Sequence, residues 1–218
     1  NGDSFGSLTT RVSYSDIQGG IANATVKPGS VLTAGAGFLN LDPRFVSAGE
    51  ALTDFIRRED GTWLARAGGA PWNVARVMAG FGIPSAFAGS VSRDNFGDEL
   101  AALSHAAGLD MRFLQQHDKP PLLAIVHEVS PPQYYFIGAD SADLAFDAAL
   151  LPRNWIQSVE WVHCGGISLA REPLRSRLVG LLEEAKAAGA RVSFDPNFRN
   201  VMTSAYDATL VRVSGLAD

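Results

Sequence analysis

Two glycines, a proline and an asparagine stand together in the stretch GGAPWN, residues 68–73, directly before an apolar pattern of helical period. Because glycine has no side chain, the backbone at Gly68 and Gly69 can approach a ligand closely and direct its N–H groups toward it. Asn73, in the first turn of the expected helix, offers both a hydrogen-bond donor and an acceptor. No lysine accompanies the glycines, as one does in a phosphate-binding P-loop. The stretch suits a site for a neutral, polyhydroxylated molecule, and it equally fits a tight turn before a helix.

A second group of polar residues follows the last expected strand, in the stretch FDPNFRN, residues 194–200. Asp195, Asn197 and Arg199 place an acid, an amide and a guanidinium within five positions. In open α/β sheets, ligands bind beyond the carboxyl ends of the strands. These side chains could therefore contact a metal-bound phosphate or a sugar hydroxyl. The alternative is an Asp-Pro turn with a surface salt bridge.

A third candidate is Asp54 in the stretch GEALTD, residues 49–54, which we expect at the end of the first strand of the sheet. One carboxylate in that position can accept two hydrogen bonds from the hydroxyl groups of a sugar. The alternatives for a single acid are a helix cap and a solvated loop residue.

Strand-like and helix-like patterns alternate along the chain from Phe45 onward. In order, we expect a strand with its exit over 45–56, a helix over 71–82 closed by Gly82, a strand over 85–91, a helix over 96–108, a strand over 159–166, a long helix over 172–189 and a strand over 191–195. Such alternation predicts an α/β domain with a doubly wound, mostly parallel sheet.

Two hairpin patterns interrupt this alternation. The first has Asp60-Gly61 between two β-prone arms, and the second joins residues 122–129 to residues 133–137. They predict a small β-flap beside the edge of the sheet, where it could act as a lid.

The composition excludes several classes of partner. A net charge of −5 without a run of Lys or Arg gives no sign of a nucleic-acid partner. No stretch approaches the roughly 18 apolar residues needed to span a bilayer, so we expect no membrane partner. Cys164 is the only cysteine, which excludes an intrachain disulfide and favours a reducing, cytoplasmic compartment. We interpret His163-Cys164 as part of the core and expect no metal site there.

Residues 1–44 differ from the rest of the chain, because they contain many Gly, Ser, Thr and Asn residues and no helical period. Short β-type runs separated by turns cannot bury a core without stacked neighbours. The stretch VSYSDIQGG, with LNLDPRFV after it, resembles a terminal part of the right-handed parallel β-helix repeats of secreted surface proteins. We expect a β-rich N-terminal appendage over 1–44 and a separate domain over 45–218.

Taken in order, the stretches GEALTD, GGAPWNVA, AFAGSVSRDNFGDEL and FDPNFR resemble the ribokinase-like (PfkB-type) carbohydrate kinases. Residues 68–75, followed by Gly82, Gly89, Asp94 and Gly97, are similar to the first signature of that family. Within the family, YYFIGADSADLAF and HCGGISLAREPLR are most similar to bacterial fructokinases. The resemblance covers residues 45–218 and implies a ribokinase-like fold, of which this chain carries the N-terminal, sugar-binding part.

The resemblance also implies a role for each candidate residue. The residues that hold the sugar hydroxyls under the flap would be Asp54, Gly68, Gly69 and Asn73. The residues that lie toward the transferred phosphate and its Mg²⁺ would be Asp195, Asn197 and Arg199. The implied phosphate donor is ATP, and the flap would exclude water, which otherwise competes as phosphoryl acceptor.

The family places its catalytic base, an Asp in a Gly-Ala-Gly-Asp-type turn, and most of its ATP contacts after the FDPNFR region. No such turn occurs in these 218 residues. We therefore expect no catalytic base in this chain, place that Asp beyond Asp218, and expect a domain that is incomplete at its C-terminus and inactive by itself.

The substrate implied by the resemblance is a neutral sugar, with fructose favoured. Relatives that take acidic or phosphorylated sugars carry an arginine in the second hairpin, where this sequence has Ile137. The alternatives within the family are a 2-keto-3-deoxygluconate kinase and a nucleoside kinase. Outside it, they are a non-catalytic sugar-binding remnant and a fused β-helix surface protein. A homodimer through the β-flap is a further expectation.

Overall fold

The computed structural model describes residues 9–12, 31–34, 42–129, 132–199, 202 and 205–218. The chain divides into two compact units, Asn1–Asp42 and Pro43–Asp218. In the first unit the structure describes two strands, β1 (Thr9–Val12) and β2 (Val31–Ala34), which pair in parallel. The β-helix hypothesis for residues 1–44 falls mostly outside the described residues, and it stays a prediction.

The second unit alternates between strands and helices, as its sequence predicts. Its elements are, in chain order, β3 (Phe45–Ala48), β4 (Leu52–Arg57), β5 (Trp63–Gly68), α1 (Ala70–Gly80), β6 (Ser85–Ser92), α2 (Asn95–Ala106), β7 (Leu114–His117), β8 (Leu123–Val129), β9 (Pro132–Ile137), β10 (Trp161–Gly165), α3 (Leu174–Ala187), β11 (Arg191–Asp195) and α4 (Ala205–Leu216). Within the described part of the chain, no helix is long and apolar enough to cross a membrane.

Five of these strands form a parallel sheet in the spatial order β11-β10-β3-β6-β7. From the central strand β3 the chain proceeds outward through β6 to β7, and it then returns to build β10 and β11 on the other side. The direction of winding therefore reverses between β3 and β10. In open α/β sheets, the crevice at the carboxyl ends of two such strands is where ligands bind.

Helices cover both faces of this sheet, which confirms the doubly wound α/β architecture. Phe87 of β6 packs in a core cluster with Trp72 of α1 and Leu100 of α2. Its neighbours Ala86 and Ala88 belong to the opposite core, which includes the buried leucines of α3. The two cores follow from the alternation of side chains along a strand, because successive residues point to opposite faces.

The flap is a second sheet of four strands in the order β5-β4-β8-β9. Both predicted hairpins are confirmed, since β4 pairs antiparallel with β5 and β8 pairs antiparallel with β9. Parallel pairing of β4 with β8 joins the two hairpins into one sheet. The first hairpin turns at Asp60-Gly61, where Asp60 accepts a hydrogen bond of 2.9 Å from the backbone N–H of Thr62.

The prediction of one strand with its exit over 45–56 is wrong. The segment forms two strands in different sheets, because β3 ends at Ala48 and Gly49 adopts a φ of 151°. An added Cβ at Gly49 would lie 2.6 Å from Cγ of Pro71, so the change of direction requires glycine. Asp54 consequently lies inside flap strand β4 and not at the end of a strand of the main sheet.

Two buried hydrogen bonds fix the start of α1 relative to the sheet. The hydroxyl of Ser47 in β3 donates to the carbonyl of Pro71 at 2.7 Å. The indole N–H of Trp72 donates to the hydroxyl of Ser104 in α2 at 2.8 Å. Because buried polar groups are costly to leave unpaired, these contacts hold the first turn of α1, and with it Asn73, in one place.

Candidate functional site

A cleft of about 200 Å³ opens where the flap faces the carboxyl ends of β3, β10 and β11. It lies at the position where the winding of the sheet reverses. The residues that line it are Glu50, Leu52, Asp54, Gly69, Ala70, Asn73, Tyr134, Phe136, Ile167, Asn197 and Arg199. The structure thus brings together residues from all three stretches that the sequence analysis singled out.

Asp54 lies on the face of the flap that looks into the cleft. It pairs with Ala124 of β8, which pairs in turn with Phe136 of β9, so the three residues share one face of the sheet. Burial raises the pKa of the Asp54 carboxyl, and the nearby guanidinium of Arg199 counteracts this shift. Asp54 is therefore a poorly hydrated carboxyl group opposite a cation, where a hydroxyl donor can replace lost water.

The glycine stretch lies where β5 passes into α1. Gly69 adopts a φ of 113°, and an added Cβ would be 2.6 Å from the carbonyl oxygen of Glu50, so the position excludes other residues. Its carbonyl accepts a helical hydrogen bond of 2.9 Å from the N–H of Asn73. Gly68 does not line the cleft, but an added Cβ there would lie against Oδ2 of Asp54. Contacts within the chain therefore require glycine at both positions, in addition to any contact with a ligand.

The FDPNFR stretch folds back toward the flap after β11. Oδ1 of Asp195 accepts a hydrogen bond of 3.0 Å from the N–H of Asn197, which has a positive φ of 39°. The guanidinium of Arg199 donates to Oδ1 of Asn197 at 2.7 Å. Asn197 and Arg199 line the cleft together with Asp54, whereas Asp195 is exposed and does not.

Mg²⁺ in enzymes is commonly held by one or two carboxylates together with phosphate groups of the substrate. The exposed carboxylate of Asp195 fits that use. Within the described ranges, no three side chains of His, Cys, Asp or Glu are close enough to form a metal site by themselves.

Two aromatic side chains form an apolar wall that the sequence analysis did not single out. Tyr134 and Phe136 are two positions apart on β9, and their rings stack at 5.9 Å with an angle of 8° between the planes. The guanidinium carbon of Arg199 lies 4.9 Å from the centre of the Tyr134 ring, within the range of a cation–π contact. The spacing of two residues within a predicted strand was the signal that they share a face.

Ile137 lies on the outer face of the flap, where it is 48% exposed and pairs with Leu123. It is absent from the described lining of the cleft. The sequence argument that connected Ile137 with a neutral substrate is therefore wrong, because strand alternation turns this position away from the cleft that Phe136 faces.

Glu50 is a buried acid in the cleft that the sequence analysis passed over. It directly follows β3, and its side chain and backbone both bond to Ser168, which follows β10. Burial raises the pKa of Glu50 to about 7, against the opposing effect of its hydrogen bonds with Ser168. The carboxylate of Asp143 raises this pKa further.

The His163-Cys164 pair lies in the core, as interpreted from the sequence. Burial raises the pKa of the Cys164 thiol to about 12, so the reactive thiolate is absent near neutral pH. Burial also lowers the pKa of His163, whose Nδ1 lies 3.1 Å from the hydroxyl of Ser193. Neither side chain lines the cleft.

The sequence profile of the pfkB family of carbohydrate kinases matches residues 42–218. This chain belongs to that family.

Among curated proteins, a probable fructokinase-7 of Arabidopsis thaliana is 38% identical over 166 residues, which are 71% of this chain and 48% of that protein. A fructokinase of Escherichia coli is 34% identical over 154 residues, which are 69% of this chain and 50% of that protein. The chain therefore spans about half the length of the curated relatives it matches.

Solved structures of the pfkB family share the fold of this chain. A fructokinase of Xylella fastidiosa with bound ATP superimposes with a TM-score of 0.74 at 28% identity, over 82% of this chain and 57% of that one. A fructokinase of Vibrio cholerae O395 with bound fructose, ADP and calcium gives a TM-score of 0.72 at 31% identity, over 81% and 59%. The ribokinase-like fold implied by the sequence is thus confirmed.

The raised pKa of Glu50 predicts a dependence of stability on pH. The pKa of Glu50 is about 7 in the folded chain and 4.5 when the side chain is exposed to water in the unfolded chain. Folding therefore favours the protonated form of Glu50. The stability that this group preserves below pH 4.5 is lost as the pH rises through 7. Relative to Glu50→Gln, the wild-type free energy of unfolding should fall by about 3 kcal/mol across that window.

Urea unfolding at a series of pH values would measure this difference. Asp60→Asn, in the exposed turn of the flap, is the matched control and should follow wild type between pH 4.5 and 7. Parallel curves for wild type and Glu50→Gln throughout this window would contradict the assignment.

Proposed function

We propose that this chain forms the sugar-binding part of an ATP-dependent fructokinase, which transfers a phosphoryl group from ATP to a hydroxyl of fructose. The observation that supports this most is the composition of the cleft at the reversal of the sheet. The flap contributes the Asp54 carboxyl group and the aromatic wall from one face, and the first turn of α1 contributes the Asn73 amide. Sugars present hydroxyls at their edges and apolar C–H surfaces on their faces, so such a cleft matches both properties.

Asp54 accepts hydrogen bonds from sugar hydroxyls in this proposal. Its partial burial favours binding of a sugar hydroxyl, because a carboxylate that has lost water gains more from a hydroxyl donor than an exposed carboxylate does. Asn73 adds one donor and one acceptor from the first turn of α1. Gly68 and Gly69 shape the wall around Asp54 and the start of α1.

Fructose is favoured over an acidic sugar because two carboxyl groups, Glu50 and Asp54, face the cleft against one cation, Arg199. A substrate carboxylate would be repelled by ionised Asp54, and also by Glu50 as the pH rises through its pKa of about 7. The Vibrio cholerae neighbour, which binds fructose, supports the same choice. A 2-keto-3-deoxygluconate would have to use Arg199, which is already bonded to Asn197 and stacked on Tyr134.

Arg199, with Asp195 and Asn197 beside it, lies toward the phosphoryl group in this proposal. ATP would supply the phosphoryl group, and Mg²⁺ would neutralise charge on it when bound. The Xylella fastidiosa neighbour binds ATP, and the Vibrio cholerae neighbour binds ADP and calcium. Both support the proposal that the complete site uses a nucleotide together with a cation. Arg199 stabilises negative charge on the sugar side, and the flap keeps water away from the transferred group.

The first prediction concerns sugar binding. Asp54→Asn keeps the shape of the side chain but removes its charge, so the Kd for fructose should rise about 10- to 100-fold, since a hydrogen bond to a charged group contributes about 1.5–3 kcal/mol. Calorimetric titration of fructose into the chain would measure it. Asp60→Asn is the matched control, because Asp60 lies in the exposed turn of the flap. An unchanged Kd for Asp54→Asn would contradict the assigned role.

The second prediction concerns turnover. A Gly-Ala-Gly-Asp turn occurs nowhere in the 218 residues, so we expect these residues to bind fructose without phosphorylating it. The purified chain, incubated with ATP, Mg²⁺ and fructose, should form no ADP above the background without fructose. Fructose-dependent ADP formation by this chain would show that it supplies its own base, and would overturn this part of the proposal.

The outer face of the flap supports a homodimer. Tyr135, Ile137 and Trp63 expose 63%, 48% and 48% of their surface there, although all belong to a regular sheet. Pairing places Phe55, Ile125 and Tyr135 in one cross-strand row on this face. Phe55 already packs edge-to-face against Phe96 of α2, so a second copy of the flap could cover the Tyr135 end of this row together with Ile137, because large exposed apolar patches mark interaction sites.

The third prediction tests this dimer. Ile137→Lys adds a charge to the outer face at the end of the edge strand β9 and should convert the chain from dimer to monomer in sedimentation equilibrium. Val211→Lys is the matched control, since Val211 is an apolar residue of α4 that is 75% exposed. A monomeric wild-type chain, or a dimer that persists in Ile137→Lys, would contradict the proposal.

A further inference from the structure

The flap has four connections to the rest of the domain, and two of them, which we call its roots, contact one short segment of the chain. The first root, residues 49–51, leads from β3 into β4. The second root, residues 138–143, follows β9. The segment that they contact, residues 166–171, follows β10 and consists of the short helix Gly166–Ala170 and Arg171. This post, as we call residues 166–171, lies under the cleft, which Ile167 lines.

The first root is held by reciprocal bonds between Glu50 and Ser168. The backbone N–H of Glu50 donates to the hydroxyl of Ser168 at 2.8 Å. The backbone N–H of Ser168 donates to Oε2 of Glu50 at 3.2 Å, and the Ser168 hydroxyl donates to the same oxygen. Both side chains are buried, so water cannot replace these bonds without opening the root.

The second root is held by Arg171. Its guanidinium donates to the carbonyl of Gly138, to the hydroxyl of Ser141 at 3.0 Å and to Oδ2 of Asp143. The Asp143 side chain is fully buried, and its other oxygen accepts from Ser141. The hydroxyl of Ser90, in β6, fixes the same root through the carbonyl of Ala142 at 2.6 Å.

We propose that residues 166–171 are the post that positions the flap, with Ser168 and Arg171 as positioning residues that hold its two roots and thereby place Asp54 and Phe136 over the cleft. Asp54 is four residues beyond Glu50, and Phe136 is two residues before Gly138. A root that detaches therefore displaces the strand that carries one wall of the cleft. The post holds the first root through Ser168 and the second root through Arg171.

The charges around Glu50 give the first root a dependence on pH. Asp143 is the carboxylate that acts on Glu50, Arg171 is paired with Asp143, and the Cys164 thiol lies near enough for Glu50 to influence it. Asp54 and Arg199 line the same cleft. Ionised Glu50 is a buried charge beside a second carboxylate, so ionisation favours an opened, hydrated root.

Hydrogen exchange of the ligand-free chain tests the post without reference to any sugar. Ser168→Ala should accelerate exchange in β4 and Arg171→Ala in β9, while both leave β3 and β6 at wild-type protection. The matched controls are Ser176→Ala and Arg175→Ala, whose side chains bond to Glu172 on the exposed side of α3 and should change neither strand. Unchanged exchange in the flap strands, or equal acceleration of the flap and the main sheet, would overturn the proposal.

Glu50→Gln distinguishes a pH-dependent first root from a general contribution of Glu50 to folding. The amide oxygen can still accept from Ser168, so β4 should keep wild-type protection at about pH 6. From about pH 6 to about pH 8, opening of the first root in wild type should increase about tenfold beyond the intrinsic change in exchange rate. The reason is that Glu50 with a pKa of 4.5 in the open root is ionised throughout this range, whereas in the closed root it stays largely protonated until the pH passes about 7. Glu50→Gln should show no such increase. The same pH dependence of β4 exchange in wild type and Glu50→Gln would contradict the role of the first root. This comparison can be made even if Ser168→Ala fails to fold.

Fructose binding is the second measurement, and this part alone rests on the proposed function. Ser168→Ala and Arg171→Ala should each weaken fructose at least about tenfold, whereas Ser176→Ala and Arg175→Ala should bind as wild type does. If wild type itself does not bind fructose, the proposed substrate is wrong, and the exchange data still decide the role of the post. If wild type binds and both root variants bind equally well, the post does not position the cleft.

Discussion

A carboxyl group buried where two central parallel strands end is the constraint on which the cleft depends. Glu50 follows β3, and its side chain is buried away from water. A buried carboxyl group is stable only if hydrogen bonds within the protein replace those to water. Ser168 supplies them from the exit of the neighbouring strand β10, 118 residues later in the chain. This contact links the segments that follow the paired strands β3 and β10, at the place where the winding of the sheet reverses.

The chemistry of the cleft follows from the direction in which the chain leaves this point. Gly49 turns the backbone out of the main sheet, and β4 then carries Asp54 over the strand ends. The pairing of β4 with β8, and of β8 with β9, brings Phe136 to the same face. Arg199, which follows β11, lies close enough to Asp54 to act on its charge and contacts the Tyr134 ring. A carboxylate, a cation and aromatic rings in one cleft are the groups that a neutral sugar and a nearby phosphate require.

Patterns of local origin made most of the fold predictable. Alternation of apolar periods gave the sheet and its helices, and Asp60-Gly61 gave the first hairpin because its turn depends on neighbouring residues. The exit of β3 was not predictable, because the apolar pattern continues through Gly49 and the change of direction depends on contacts with Pro71 and Ser168. The face of Ile137 depends on the register of β9, which the sequence did not specify.

The site was predictable to a similar degree. Asp54, Gly69, Asn73, Asn197 and Arg199 were all recognised as candidates and all line the cleft, whereas Gly68 and Asp195 lie beside it. Which of them contact a ligand remains a proposal. Glu50 was missed because its burial arises from a partner far away in the chain, and no local pattern distinguishes it from a solvated acid.

A crystal structure of the chain grown with saturating fructose would test the central claim most directly. We expect fructose in the cleft, with hydroxyls at hydrogen-bond distance from the Asp54 carboxylate and the Asn73 amide, and with a face of the sugar against Phe136. Fructose bound elsewhere on the chain, or a cleft that contains only water at saturation, would contradict it.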